Sequence, residues 1–231
     1  MLVGISQPTF MPWIGYFALL DKVQKFIFLD DVQFEKRSWQ QRNHINLDNR
    51  KYLLSISVKS KGKFNQKISE VEILYNKDFE LIKKKLYYAY NKTRYFKNYY
   101  QDICNIIDKK FIFLSELNVE LIKYFAKSLD IKVDYDFSSK YFLNFKKENL
   151  IFELCKISKC TQYLSTIGSK NYLQDHKFVP GTNIKISFFQ YNDVQYNQKG
   201  NKFIPKLSIL DLIFNEGRNS INIIREGIHI N

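Results

Sequence analysis

Two short apolar runs near the start of the chain, Leu2-Val3-Gly4-Ile5 and Phe26-Ile27-Phe28-Leu29, each break off abruptly into polar residues. Such runs predict buried strands of a parallel sheet, whose covered faces need no polar alternation. Tyr52 to Val58 is β-rich and partly alternating, and Ile68-Ser69-Glu70-Val71-Glu72-Ile73 alternates with period two, which predicts a half-exposed strand. From Asp78 to Lys92 the rhythm changes, with Phe79, Ile82, Leu86 and Tyr90 at helical spacing and Asp78 as N-cap. Tyr99 to Leu114 and Leu117 to Leu129 predict two more helices, so a mostly helical segment is expected at about 78–130. Lys132 to Phe137, Gln162 to Ser165 and Lys185 to Gln190 predict strands. Asn149 to Lys159 predicts an amphipathic helix, and Ser208 to Phe214 a last short helix closed by Gly217. The pattern as a whole predicts an α/β fold: a Rossmann-like parallel or mixed sheet with the helical middle packed over it. No repeat or low-complexity linker divides residues 1–231, so one domain is expected.

Loops at the carboxyl ends of parallel strands are where open α/β sheets hold ligands, and both early runs lead into polar clusters. The first, Gln7-Pro8-Thr9-Phe10-Met11-Pro12-Trp13-Ile14-Gly15-Tyr16, holds two of the four prolines and one of the two tryptophans. Each proline stiffens its own position and the one before it, and Gly15 permits close approach of a strand or ligand. Free N–H groups at the following helix start suit a phosphate or carboxylate; a tight turn plugged by Trp13 and Phe10 would look the same. The second cluster starts at Asp30-Asp31-Val32-Gln33-Phe34 and runs on through Arg37, Trp39, Gln41, Arg42, Asn43 and His44. Strand alternation would send Asp30 and Asp31 to opposite sides, with Asp31 facing the crevice beside Gln7 and Arg42 and Asp30 locking the neighbouring loop. A carboxylate there can coordinate magnesium, orient an amine or take its proton; helix capping or pairing with Arg37 or Arg42 is the structural alternative. Arginines grip phosphates in bidentate fashion, and side-chain amides read sugars or bases. His44 is the one histidine of three in a polar cluster. A third cluster, Ser165-Thr166-Ile167-Gly168-Ser169-Lys170, can form an anion nest or simply cap a helix. A fourth stretch carries Tyr196, Gln198, Ser208 and Asp211.

Composition changes this picture only in part. The 231 residues are 45% hydrophobic, with no apolar run of the ~20 residues a membrane-spanning helix needs. Residues 1–20 lack a basic start and a small-residue cleavage site, so no signal peptide and a cytoplasmic location are expected. The three cysteines, Cys104, Cys155 and Cys160, have no zinc-site spacing and read as free thiols. The net charge of +13 can steer anionic partners, but the lysines lie in scattered short runs that fit solvated helix faces. No phosphate-loop, H-x-G-H, zinc or serine-elbow motif occurs.

Taken together, Gln7-Pro8, Pro12-Trp13-Ile14-Gly15-Tyr16-Phe17, Asp30-Asp31-Val32-Gln33-Phe34, Ser38-Trp39-Gln40-Gln41-Arg42-Asn43, Tyr163-Leu164-Ser165 with Gly168 and Tyr172-Leu173, and Ser208 to Asn215 resemble the WbqC family. The resemblance runs from the first strand to Gly217, and the combination is far more specific than any one stretch. It implies a place in bacterial O-antigen or related surface-polysaccharide biosynthesis, where some members are described as glycine transferases that aminoacylate an amino sugar. Where the family often has arginine this chain has His44, and Thr166-Ile167 stands where Gly-Pro is common. The first strand-turn-helix-strand unit is also similar to that of nucleotidylyltransferase-type ligases such as pantothenate synthetase, which implies ATP and magnesium as cofactors. Trp13 and Tyr16 stand where those enzymes carry charge-stabilising histidines, which argues against a shared mechanism.

The leading expectation is therefore a transferase that forms an amide on the amino group of a nucleotide-linked deoxyamino sugar, using an acyl or aminoacyl donor. In that reading Asp31, Asp30 and His44 are the catalytic candidates. Arg37, Arg42 and Lys170 hold the diphosphate, while Gln7, Gln33 and Asn43 position hydroxyls or the acyl group. Trp13, Tyr16, Trp39, Ser165, Gly168, Tyr196 and Gln198 complete the expected substrate site, with no resident metal ligand set. The alternatives are a non-catalytic sugar-nucleotide or glycan-binding partner of a biosynthetic complex, for which the 16% aromatic content speaks, and a nucleic-acid-binding protein, against which the dispersed charge speaks. Self-association into a homo-oligomer is left open.

Overall fold

A computed structural model describes residues 1–169, 173 and 176–230. Its centre is a six-stranded sheet built from β1 (Leu2–Ser6), β2 (Lys25–Phe28), β5 (Asp134–Phe137), β6 (Gln162–Thr166), β7 (Lys185–Tyr191) and β8 (Ile228–Ile230) in the order β5-β2-β1-β6-β7-β8. All neighbours pair in parallel except β7 and β8. The remaining strands, β3 (Arg42–Leu47) and β4 (Arg50–Ser55), form a separate antiparallel hairpin. The described elements also include helices α1 (Ile14–Lys22), α2 (Asp78–Tyr90), α3 (Phe96–Ile107), α4 (Leu114–Ser128), α5 (Lys147–Ile157), α6 (Ile209–Glu216) and α7 (Ser220–Glu226), with short 3₁₀ turns between elements. The fold is thus α/β, as the sequence pattern predicts.

Period-two alternation sorts the strand side chains into two cores. Phe26, Phe28, Leu164 and Phe189 join the larger one, with Phe17 and Leu20 of α1, Phe125 of α4, Ile213 of α6 and Ile224 of α7. Val3, Ile5, Ile27, Tyr163 and Ile186 face the other way, against Leu150, Leu154 and Cys155 of α5. Phe17 and Phe125 meet edge-on with ring centres 6.0 Å apart, and an Arg225 guanidinium on α7 grips Asp21 of α1 at 2.7 and 3.0 Å. Phe79, Ile82, Leu86 and Tyr90 of α2 are all buried, as their 3.6-residue spacing predicts, whereas α3 ends at Ile107 rather than Leu114, which is the first residue of α4.

The structure corrects the sequence reading at several places. Ile68–Glu70 is a 3₁₀ turn rather than a strand: Glu70 accepts the Lys67 N–H at 3.0 Å, and the Ile68 and Ser69 N–H groups turn back to the carbonyls of Val32 and Asp30 at 3.0 and 2.9 Å. The alternation there marks three anchors, Ile68, Val71 and Ile73, pinned into the core one after another. Asp78 is the first helical residue and not the N-cap; its carboxylate accepts the Ser57 N–H at 3.1 Å. The polar run at 42–47 is a strand, turned by Asp48 and Asn49 at φ 53° and 59° in the manner of a two-residue hairpin with both central residues left-handed. Ser208 caps α6 and Gly217, at φ 56°, ends it, but α7 and β8 follow, so α6 is not the last element.

Candidate functional site

From β1 the chain moves one way along the sheet, through β2 to β5, then jumps back across β1 to β6 and moves the other way to β7. The order therefore reverses between β1 and β6, the place where open α/β sheets leave a crevice at the carboxyl ends of their strands. Ser6 lies level with Phe28, and Phe28 with Phe137, so the residues that follow these strands emerge side by side. Gln7, the Asp30-Asp31 pair, Ser138-Ser139 and the Ile167–Ser169 turn thus share one edge of the sheet.

The loop that follows β1 is tied down carbonyl by carbonyl. The Tyr16 hydroxyl donates to the Gln7 carbonyl at 3.1 Å and the Asn118 amide to that of Pro8 at 3.1 Å. The Asn43 amide spans the Phe10 and Met11 carbonyls at 3.2 and 2.9 Å, Ser208 adds a second bond to Met11 at 2.7 Å, and the Ile209 N–H meets Pro12 at 2.8 Å. Phe10 and Met11 are fully buried, and Met11 sits at φ 42°, a strained value for a non-glycine residue. Asn43 and Tyr16, expected as substrate ligands, spend their polar atoms as braces on this loop. Gln7 keeps its side chain at the edge, its carbonyl oxygen accepting from the buried Gln40 amide at 2.9 Å. Trp13 is half-buried, lies edge-on to Tyr191 at 5.6 Å and covers Gly15, where an added Cβ would come within 2.4 Å of the indole. Gln40 was marked by sequence only as part of the Ser38 to Asn43 motif, and Asn118 was not singled out. Asn118 carried a readable signal: it stands with Leu114, Leu117, Leu121 and Ile122 on the apolar face of α4, where a polar residue must find partners.

The aspartates depart from strand alternation, because β2 ends at Phe28, before either of them. Instead of facing opposite ways, both carboxylates reach the Ser138 hydroxyl. Asp30, almost wholly buried, also accepts from the Ser139 N–H at 3.0 Å and the Ser139 hydroxyl at 2.8 Å, so it locks the β2 and β5 loops together. Asp31 is half-buried and meets Ser138 alone among the described residues. Beside them an open cavity of about 310 Å³ is lined by Asp30, Ser69, Phe113, Ser115, Glu116, Val119 and Phe137. Glu116 caps α4 by accepting the Phe113 N–H at 3.2 Å. Among the described residues no lysine or arginine pairs with Asp30, Asp31 or Glu116, although the chain carries a net +13. Asp136, one strand over, is the contrast. Burial pushes its carboxyl up, but Lys25 at 2.8 Å and the Tyr141 hydroxyl at 2.6 Å outweigh that and hold it well below the usual range.

Cationic and aromatic groups gather on the hairpin side. Strand alternation turns Arg42 and His44 outward, level with Ser55 and Leu53. Trp39, 52% exposed, lies edge-on to His44 at 5.5 Å. Partial burial lowers the His44 pKa, and the charges of Lys51 and Arg42 lower it further, so the imidazole is neutral at pH 7. Arg37 is exposed at φ 60°, and neither it nor Arg42 has an ion-pair partner among the described residues. Gln33 is exposed, but its amide donates to the Phe64 carbonyl at 2.9 Å.

The third and fourth clusters are less open than their sequence suggests. Ser165 is buried, donating to the Tyr163 hydroxyl at 3.0 Å and touching Ser169, which bonds the Thr166 carbonyl at 2.6 Å. Gly168 faces open space, so its backbone remains approachable. Lys170 lies outside the described residues. Tyr196 and Gln198 belong to an internal network: the Tyr196 hydroxyl donates to Asp211 at 2.9 Å, and Gln198 donates to that hydroxyl at 3.0 Å and exchanges bonds with the Ile204 backbone. Neither reaches the carboxyl edge through these contacts, which places them in the support of the hairpin.

Comparison with known proteins agrees with the extent of this fold. The model of the WbqC-like protein family matches residues 7–223. The chain is 30% identical over 225 residues to a Mycobacterium tuberculosis (strain ATCC 25618 / H37Rv) protein named "Uncharacterized protein Rv1507c", covering 96% of this chain and 97% of that one. No solved structure matches it significantly.

Proposed function

The chain belongs to the WbqC-like protein family, and from that premise we propose that it forms an amide on the amino group of a nucleotide-linked deoxyamino sugar. The observation that carries this reading is the separation of charge at one edge of the sheet. Carboxylates without cationic partners line or flank a cavity beside β2, while unpaired arginines stand out from the hairpin side. A sugar ammonium suits the first and a diphosphate the second. The ammonium must lose a proton before its nitrogen can attack an acyl carbon, so a general base is required. Asp31 fills that role: it is the more exposed of the two aspartates, and Ser138 holds one of its oxygens in place. Asp30, fixed by Ser138 and Ser139, and Glu116 supply negative potential around the amine. Arg37 and Arg42 grip the diphosphate, Gln7 positions a hydroxyl, and Trp39 offers an apolar face to a sugar or base. In the ligase variant of this reaction ATP and magnesium would activate the donor; Asp31 would offer an oxygen ligand near the edge, whereas the Asp30 oxygens are taken by Ser138 and Ser139.

The test is incubation of the purified protein with a panel of nucleotide-linked amino sugars and glycine, supplied with ATP, as aminoacyl-tRNA, or replaced by an acyl-CoA. Mass spectrometry should show one sugar gaining the mass of an acyl or glycyl group. No gain with any donor removes the transferase reading.

A second reading, a non-catalytic partner that binds a sugar nucleotide, is favoured by one observation: Asn43, Tyr16, Gln40 and Asn118 are all spent on the loop itself. Calorimetric titration separates the two. Tight binding without turnover, unchanged by Asp31→Asn, would favour the binding partner.

A further inference from the structure

The end of α5 brings two thiols together by backbone geometry alone. Helix α5 closes through Lys159 at φ 53°, with the Lys159 N–H bonded to the Lys156 carbonyl at 3.0 Å and the Cys160 N–H to that of Cys155 at 3.4 Å. These two bonds, one spanning five residues and one three, around a left-handed residue define a Schellman ending. That motif places the side chain three positions inside the helix end against the one two positions past it, usually as a hydrophobic contact. Here both positions are cysteine. Cys155 and Cys160 are buried in the same core cluster beneath β1 and β6, and the Cys160 thiol donates to the Cys155 backbone carbonyl at 3.4 Å. Cys104 lies elsewhere, buried in α3, and has no cysteine beside it among the described residues.

We propose that Cys155 and Cys160 form a redox-active dithiol that closes to an intramolecular disulfide with a low-molecular-weight disulfide as oxidant. The Cys160 thiolate attacks one sulfur of the oxidant, forming a mixed disulfide and expelling one thiolate. Cys155 then gives up its proton and attacks the Cys160 sulfur, releasing the second thiolate. Two protein thiols and one oxidant disulfide thus become one protein disulfide and two small thiols. Cys160 is the attacking sulfur because its pairing with Cys155 holds its pKa below the ordinary thiol value against the effect of burial. The neighbouring Cys160, together with burial, pushes the Cys155 thiol up, which makes it the resolving partner. Burial raises Cys104 above its ordinary value, so it should lag. The bridge would fasten the end of α5 to the start of β6, whose first residues pair with β1.

The experiment treats the full-length folded protein with oxidised glutathione from pH 6 to 9, quenches with acid and digests with trypsin without reduction. Lys156 and Lys159 lie between the two cysteines, so trypsin separates their peptides and only a disulfide keeps them together. A linked Cys155–Cys160 peptide pair is expected, with Cys104 still a thiol and a rate half-maximal at a pH below the ordinary cysteine pKa. In Cys155→Ala the reaction should stop at a stable glutathione adduct on Cys160, while Cys104 staying a thiol shows that the variant remains folded. Oxidation of Cys104 at an equal rate, a glutathione adduct on Cys160 that never closes in the unmutated protein, or three untouched thiols would each overturn the proposal.

Discussion

Asp31 and Asp30 are neighbours in sequence with different tasks, and the difference is one of partners. Asp30 has its carboxylate oxygens filled by Ser138 and Ser139, whereas Asp31 shares only the Ser138 hydroxyl. Changing Asp31 to Asn keeps the shape and the hydroxyl contact but removes the proposed base, so turnover should fall ~100-fold or more with thermal stability nearly unchanged. The check is kcat from the sugar-acylation assay set beside a melting curve; full activity in the variant would remove Asp31 from the chemistry. Arg42 predicts a different signature. It has no ion-pair partner among the described residues and stands outward on β3, so its loss should cost ground-state binding and not the chemical step. A charge-assisted hydrogen bond contributes about 1.5–3 kcal/mol, so Arg42→Gln should raise KM ~10- to 100-fold while kcat stays within about twofold. A fall in kcat with KM unchanged would mean that the guanidinium acts on the transition state.

At the scale of elements, the loop after β1 and the β3–β4 hairpin stand or fall together. Asn43 fills the carbonyls of Phe10 and Met11 and accepts the His44 N–H at 2.8 Å, all in a buried setting. Asn43→Ala leaves those buried groups short of partners, with an expected cost of about 2–4 kcal/mol in urea unfolding and a loss of activity beyond what stability explains. A change below about 0.5 kcal/mol would mean that the loop is held by the other braces alone. How far these elements could be read in advance depended on whether the side chains recorded the pattern. Strands β1, β2, β5, β6 and β7 and helices α1 to α6 are buried on defined faces, and their apolar residues show it. The turn at Ile68 copied a strand because Ile68, Val71 and Ile73 anchor it at nearly even spacing. Strand β3 was hidden because its polar residues serve the loop and the outer surface, leaving only Asp48-Asn49 as a turn signal. The sheet edge that gathers Gln7 and the aspartates was readable from strand ends. The serines that fix the aspartates, 107 to 109 residues away along the chain, were not, because contacts that distant leave no local periodicity.

Across the whole molecule, the hairpin is joined to the helices through one buried carboxylate. Asp211 of α6 is fully buried and accepts from Tyr90 of α2 at 3.0 Å and from Tyr196 at 2.9 Å; the Tyr90 hydroxyl in turn accepts the Asn46 N–H of β3 at 3.1 Å. No cation pairs with Asp211 among the described residues, so burial dominates the donated hydrogen bonds and raises its carboxyl to about 6. The folded protein then holds this proton more tightly than the unfolded chain, whose aspartates ionise near ~4. Its contribution to stability is full below pH 4, declines as pH rises through 6, and is lost above that. A shift of about two units corresponds to about 3 kcal/mol between pH 4 and pH 7. Two other groups act with the opposite sign. Asp136, held low, contributes stability that is lost only in acid, and His44, held low, makes stability rise as pH passes the ordinary imidazole range. Both remain in an Asp211→Asn variant, so subtracting the variant's stability from that of the unmutated protein isolates Asp211. Asparagine still accepts from one tyrosine, while the other hydroxyl must rotate to accept from its amide, which lets the variant fold. Melting curves at half-unit steps from pH 4 to 8 should show the unmutated protein losing stability relative to the variant, with the midpoint of the loss between pH 4 and 6. Parallel curves would mean that Asp211 is already ionised in the folded state at pH 4, held as an anion by its two tyrosines.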